Sequence, residues 1–171
     1  AMAERDGIDS GGSTTDVDAR WAAFAGWFAQ RLSELPAASV LDAGRGDATP
    51  ETDGYDVECA QVQRLYGDRY LLRCSTTLMI IPLLDCYDGD NVEVDTWHHD
   101  DLFEDCTHGY LVSESPQMVA DLVVGWFRER CGFAEPDLIG FAYMRAKSLP
   151  HTASRVDWMT RTVSRSSVRD S

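Results

Sequence analysis

Lysine is almost missing from this chain: Lys147 is the only one, and 15 basic residues face 29 acidic ones for a net charge of −14. A phosphate backbone or an anionic membrane surface is repelled by such a field, so neither nucleic acid nor membrane is an expected partner. Paired cysteine motifs are lacking too. Cys59, Cys74, Cys86, Cys106 and Cys131 contain no C-x-x-C and follow no signal peptide, and an odd, unpatterned set fits a reducing cytoplasm better than a disulfide framework. Long hydrophobic runs are absent: the longest, residues 78–84, is broken by Pro82 and is too short to span a bilayer. No nucleophile stands in a pattern with a base, so the chain is expected to be no enzyme and to hold no cofactor.

What is present is enough apolar material for one core: 171 residues with 44% hydrophobic content suit a single domain. Ala1 ahead of Met2 reads as a cloning remnant, which puts the natural start at Met2. The clearest element is residues 115–132. Val119, Leu122, Val123, Trp126 and Phe127 recur at the i, i+3, i+4, i+7, i+8 spacing of a helix face, with Ser115 as cap, Pro116 at the first helical position, Arg128 and Arg130 near the end, and Gly132 closing it. A first helix is predicted from Thr15, which makes a capping box with Asp18, to Pro36, its face carried by Trp21, Phe24, Phe28, Leu32 and Leu35. Trp27 lies at the edge of that face. Residues 1–14 are polar and glycine-bearing, which suits a flexible arm ahead of a domain at 15–150.

Residues 39–43 are a predicted strand, and Val40-Leu41-Asp42-Ala43-Gly44-Arg45-Gly46 has the look of a methyltransferase glycine turn. Such a turn must open a helix, and residues 49–54 leave no room for one; Ala48 also stands where the third glycine belongs. S-adenosylmethionine is not expected to bind. Segments 55–65 and 69–75 flank Gly67-Asp68 and predict a two-residue hairpin with one buried and one mixed face. Residues 76–84 suit a short helix or a covered segment, 88–91 a turn, 91–97 a half-buried strand, 107–113 another strand, and 138–144 a closing strand or the start of a last helix.

His98, His99 and His108 lie among Asp100, Asp101, Glu104, Asp105 and Cys106, and imidazole, carboxylate and thiol are the ordinary ligands of zinc. Their spacing closes no tetrahedral pattern, and neighbouring histidines on a strand point apart, so no metal is expected there. Residues 151–171 form an Arg/Ser-rich tail that buries little.

The order of elements predicts an α+β fold, an antiparallel sheet with helices packed on one face. The Trp21-x-x-Phe24 opening, Val62-Gln63, Val94-x-x-Trp97, and the stretch 119–130 running into Cys131-Gly132-Phe133-Ala134-Glu135-Pro136-Asp137-Leu138 resemble the actinobacterial type III secretion chaperone-like domains. The likeness covers roughly residues 15–144 and departs from the family in the 44–54 loop, the histidine cluster and the tail. It implies a chaperone-like or adaptor domain, often dimeric, that binds another polypeptide, and it supplies no catalytic residues. Trp27 and Trp97, at the rims of their elements, are the candidate contact residues. An acidic, immunity- or antitoxin-like protein that neutralises a basic partner is the alternative, and a small metal-dependent or methyl-transferring enzyme a further one.

Overall fold

The computed structural model describes residues 2–46, 57–87 and 90–148. The described residues build five strands: β1 Ser39–Arg45, β2 Cys59–Leu65, β3 Arg69–Ser75, β4 Gly109–Ser113 and β5 Ile139–Arg145. They form one antiparallel sheet in the order β4-β3-β2-β1-β5. Two helices, α1 Met2–Ser33 and α2 Pro116–Val124, pack on one face, so the chain has the α+β architecture its pattern predicts.

The end signals of α2 work as local chemistry requires. The Ser115 hydroxyl accepts the Met118 N–H at 3.1 Å, and Pro116 occupies the first turn. Beyond Val124 the helix widens into a π-helical segment, Gly125–Arg130, in which the Cys131 N–H reaches the Trp126 carbonyl at 2.9 Å. Both Trp126 and its neighbour Phe127 are buried there. Gly132, at φ +75, ends the element in the left-handed region open to glycine.

α1 departs from expectation at its start. The helix begins at Met2 and runs through the segment assigned to an arm, so Thr15 and Asp18 are interior positions and not a cap. No proline interrupts it, and extending a formed helix needs no new nucleus, although Gly7, Gly11 and Gly12 each cost about 1 kcal/mol relative to alanine. Asp18 instead pairs with Arg128. Arg20 reaches Asp137 at 2.9 Å and Glu135 at 3.4 Å, which ties α1 to the turn before β5.

The helix-side core joins Trp21, Phe28 and Leu32 to Val119, Val123 and Phe127 over Leu41, Val62 and Leu72. The opposite face is covered by residues 76–87 and 90–108, which set Met79, Leu83, Tyr87 and Phe103 against Val40, Leu71, Tyr110 and Val112. The hairpin of β2 and β3 is therefore buried on both sides, where the alternation had promised a mixed face, and Arg73 is only 1% exposed. Its loop holds three residues, 66–68, because pairing ends at Leu65 with Arg69; Gly67 and Asp68 both take positive φ.

Residues 76–84 are the covered segment, without a helix. Residues 91–97 are not a strand, since Asp95 at φ +59 breaks the extended run. The loop after Gly46, Tyr55, part of the 88–91 turn and the tail 151–171 lie outside the described residues. β1 runs antiparallel to both neighbours, with Gly44 opposite Cys59 and Gly140, so the parallel crossover that a methyltransferase-type turn serves is absent from this sheet.

Candidate functional site: an open sheet edge and the groove beside it

A sheet of five strands has two edges, and each presents unpaired backbone unless something covers it. The β4 edge is covered. The Asp95 N–H donates to the Val112 carbonyl at 2.7 Å, and His98 and Tyr110 exchange hydrogen bonds at 2.8 and 3.0 Å. That strap lies so close that a Cβ on Gly109 would sit 2.6 Å from the His98 carbonyl oxygen, and Gly109 also needs its φ of +97; no other residue suits the position.

The β5 edge is different. At the ends of the β1–β5 ladder, Ala146 donates to the Ala38 carbonyl at 2.8 Å and Gly46 to that of Leu138 at 2.9 Å. With Asp42 opposite Ala142, antiparallel alternation makes 40–144, 42–142 and 44–140 the hydrogen-bonded pairs. The N–H and C=O groups of Ile139, Phe141, Tyr143 and Arg145 consequently point away from the sheet. Beyond the strand, Lys147 is bridged to Leu83 and Asp85. Along β5 itself no described residue pairs on the outer side.

Apolar side chains crowd this edge. Trp27 is 43% exposed, Tyr143 58% and Met144 42%, and the Trp27 ring lies 5.5 Å from that of Phe141, which also meets Phe24 and Phe28. Of the two tryptophans singled out from sequence, the structure brings Trp27 to the open edge. Trp97 sits at the β4 side, half-buried against the helix-face core, with its ring edge-on to His108 at 5.0 Å. Tyr143 and Met144 have no sequence signal beyond the apolar run 138–144, which does not say that their strand lies at an edge.

On the sheet face away from the helices, one register row carries polar groups across four strands: Asp42, Gln61, Arg73 and Tyr110. Arg73 donates through Nη2 to Gln61 Oε1 and stacks on Phe103 at 4.7 Å, while Tyr110 donates to Asp100 at 3.0 Å. Burial pushes the Asp42 carboxyl above the ordinary carboxylate value, against a hydrogen bond from Gln61 and the charge of Arg73. A cavity of about 320 Å³ opens beside Asp42, Arg45, Cys59 and Gln61, and a second of about 190 Å³ beside Gln61 and Arg73; Met79 borders both. Burial pushes Cys59 up to about 11 and Cys106 up to about 12, so these thiols stay protonated at neutral pH and have little nucleophilic character.

The histidines are taken up by structure. His98 and His99 place their Nε2 atoms 3.0 Å from the carbonyls of Glu93 and His108, and the His108 ring lies between Trp97 and Trp126. Burial, then Arg130 and His99, lower the His108 pKa. Among the described residues no three histidine, cysteine or carboxylate groups converge as metal ligands. Nor is any described helix long and apolar enough to cross a membrane. Comparison with known proteins returns no matching family model, no similar curated protein and no similar solved structure.

Proposed function

We propose that this protein is a non-enzymatic polypeptide-binding domain, chaperone-like or adaptor-like, that takes an extended segment of another polypeptide onto the β5 edge. The observation behind this reading is the contrast between its edges. One is covered by a strap, and the other leaves four residues' worth of outward backbone groups beside exposed Trp27, Tyr143 and Met144. An exposed edge with apolar flanks is an aggregation hazard that proteins avoid unless a partner uses it. Strand addition draws affinity from main-chain hydrogen bonds and specificity from alternate side chains, which suits a β5 with apolar groups on both faces. The likeness of the sequence to secretion-chaperone-like domains agrees with the same reading.

The test is capture from the native host followed by mass spectrometry, with wild type beside Tyr143→Lys and Trp27→Ala. Loss of the same captured polypeptide in both variants, with unchanged melting, supports the edge. Retention in both removes it. Self-pairing of two copies is distinguished by light scattering across concentration. A second reading, neutralisation of a basic partner, draws on the opposite side of the molecule, where Asp90, Glu93, Asp95, Asp100, Asp101 and Glu104 are all exposed. Loss of capture on replacing Glu93 and Asp101, with Tyr143→Lys silent, favours that one.

A further inference from the structure

The smaller cavity is cationic in a chain that is otherwise strongly acidic. Its lining includes Arg73, Arg145 and Lys147 and, among the described residues, no carboxylate, while Ile80, Ile81 and Met144 supply apolar wall. Lys147 is the single lysine of the protein, and among the described residues neither it nor Arg145 forms an ion pair. Arg73 is the decisive group. Buried to within 1% of complete, it finds no hydrogen-bond acceptor for Nε or Nη1 among the described residues. Asp105 forms an ion pair with Nη1 at 3.8 Å, longer than a hydrogen bond, and its other oxygen accepts the Ile81 N–H at 2.6 Å. A buried guanidinium with unused donors is costly unless something completes it, and a carboxylate matches its fork.

We propose that this cavity is a binding site for a small aliphatic carboxylate, held by Arg73 at the floor and by Arg145 and Lys147 at the mouth. Size limits the ligand. A cavity of about 150 Å³ accommodates benzene, and this one, at about 190 Å³, has room for a carboxylate on a chain of a few carbons. The apolar wall provides for the chain, and the three cations for the head. This site does not rest on the strand-addition reading, and failure of polypeptide capture leaves it standing.

The experiment is titration of hexanoate into the full chain, read by calorimetry and by amide chemical shifts, with hexanamide as the uncharged analogue. Saturable binding is expected with a Kd of about 0.1–1 mM, because a ligand of about eight heavy atoms gains only a limited free energy per atom. Hexanamide should bind about 10-fold more weakly or worse, since it brings no charge to the three cations and offers Arg73 a weaker acceptor than a carboxylate. The double variant Arg145→Gln, Lys147→Gln changes only exposed side chains and should weaken hexanoate about 3–10-fold, an effect reduced by salt. Arg73→Gln should abolish binding; if that variant does not fold, the mouth variant decides. Equal affinity for hexanoate and hexanamide would overturn the carboxylate assignment. So would absence of saturable hexanoate binding, or a tetrapeptide that binds through its free C-terminal carboxylate where hexanoate does not.

Discussion

Proline placed at two adjacent positions of β5 separates the inward from the outward side of the strand. At Ala142 the N–H belongs to the bonded pair with Asp42, so Ala142→Pro deletes a ladder hydrogen bond, strips the Asp42 carbonyl of its donor and drives the ring toward β1. The lost bond costs about 0.5–1.5 kcal/mol and the orphaned acceptor about 1–3 kcal/mol. A total of about 2–4 kcal/mol lowers Tm by about 5–15 °C for a chain of this size. At Tyr143 the N–H points outward, so Tyr143→Pro breaks no bond within the sheet. Its strain is offset by about 0.4–1 kcal/mol from the stiffer unfolded chain, and Tm should stay within about 4 °C of wild type. Urea and thermal unfolding of both variants, with equal m-values as the check on two-state behaviour, measure the contrast. Polypeptide capture should vanish in Tyr143→Pro, because the edge has lost a donor and gained a ring where the added strand would lie. Equal destabilisation by the two prolines would refute the bonded-pair assignment, and full capture by a folded Tyr143→Pro would refute strand addition.

Trp126 is buried, with no acceptor for Nε1 among the described residues, so Trp126→Ala should cost about 3–5 kcal/mol in chemical unfolding. Trp126→Phe should cost less than about 1.5 kcal/mol, since the apolar area lost is offset by relief of a desolvated N–H. Asp42→Asn should raise Tm at pH 7: the folded carboxyl titrates above its usual 3.8, so its stabilising effect is complete only below that value and is lost as pH rises through the folded pKa. The gain should fade in scans taken toward pH 3.8. The His108 imidazole is held below its usual 6.5, so it favours the fold above 6.5 and loses that contribution as pH falls through its folded value; His108→Gln should flatten this part of the stability–pH curve.

The helices and most strands were legible because their signals are local. Ser115, Pro116 and the apolar spacing from Val119 to Phe127 mark α2 without reference to any distant residue, whereas the apolar run 138–144 suits a strand and a helix start equally. Long-range coverage was not legible. Arg73 reads as a solvent-side residue of a hairpin until residues 76–87 and 90–108 fold over it, and no periodicity in that segment announces where it packs. The strap at 95–98 alternates like a strand, yet Asp95 at positive φ turns it into a row of irregular contacts on β4. Trp27 was picked out as a rim residue, but its place beside an open edge depends on β5 pairing with β1, a connection of about a hundred residues that pattern alone cannot supply.

The charge distribution bears on which polypeptide the edge receives. The six exposed carboxylates of residues 90–104 lie at the β4 side, while Arg145 and Lys147 are near β5 and Arg31, also there, is paired with Glu34 at 3.7 Å. Two copies joined through β5 bring their basic flanks together and add two net charges of −14, so self-association works against repulsion and should strengthen as salt is added. Capture of a cationic segment has the opposite sign, because long-range attraction to the acidic body fades once charges are screened beyond about 8–10 Å. A neutral apolar segment gains slightly from salt through the hydrophobic contacts of Trp27 and Tyr143 and has no electrostatic on-rate to lose. The sign of the salt dependence, measured on wild type and on Tyr143→Lys, therefore assigns the occupant. Weakening with salt selects a basic partner. Strengthening, together with light scattering at twice the monomer mass, selects a second copy, and strengthening without a change in mass selects an apolar strand from another protein.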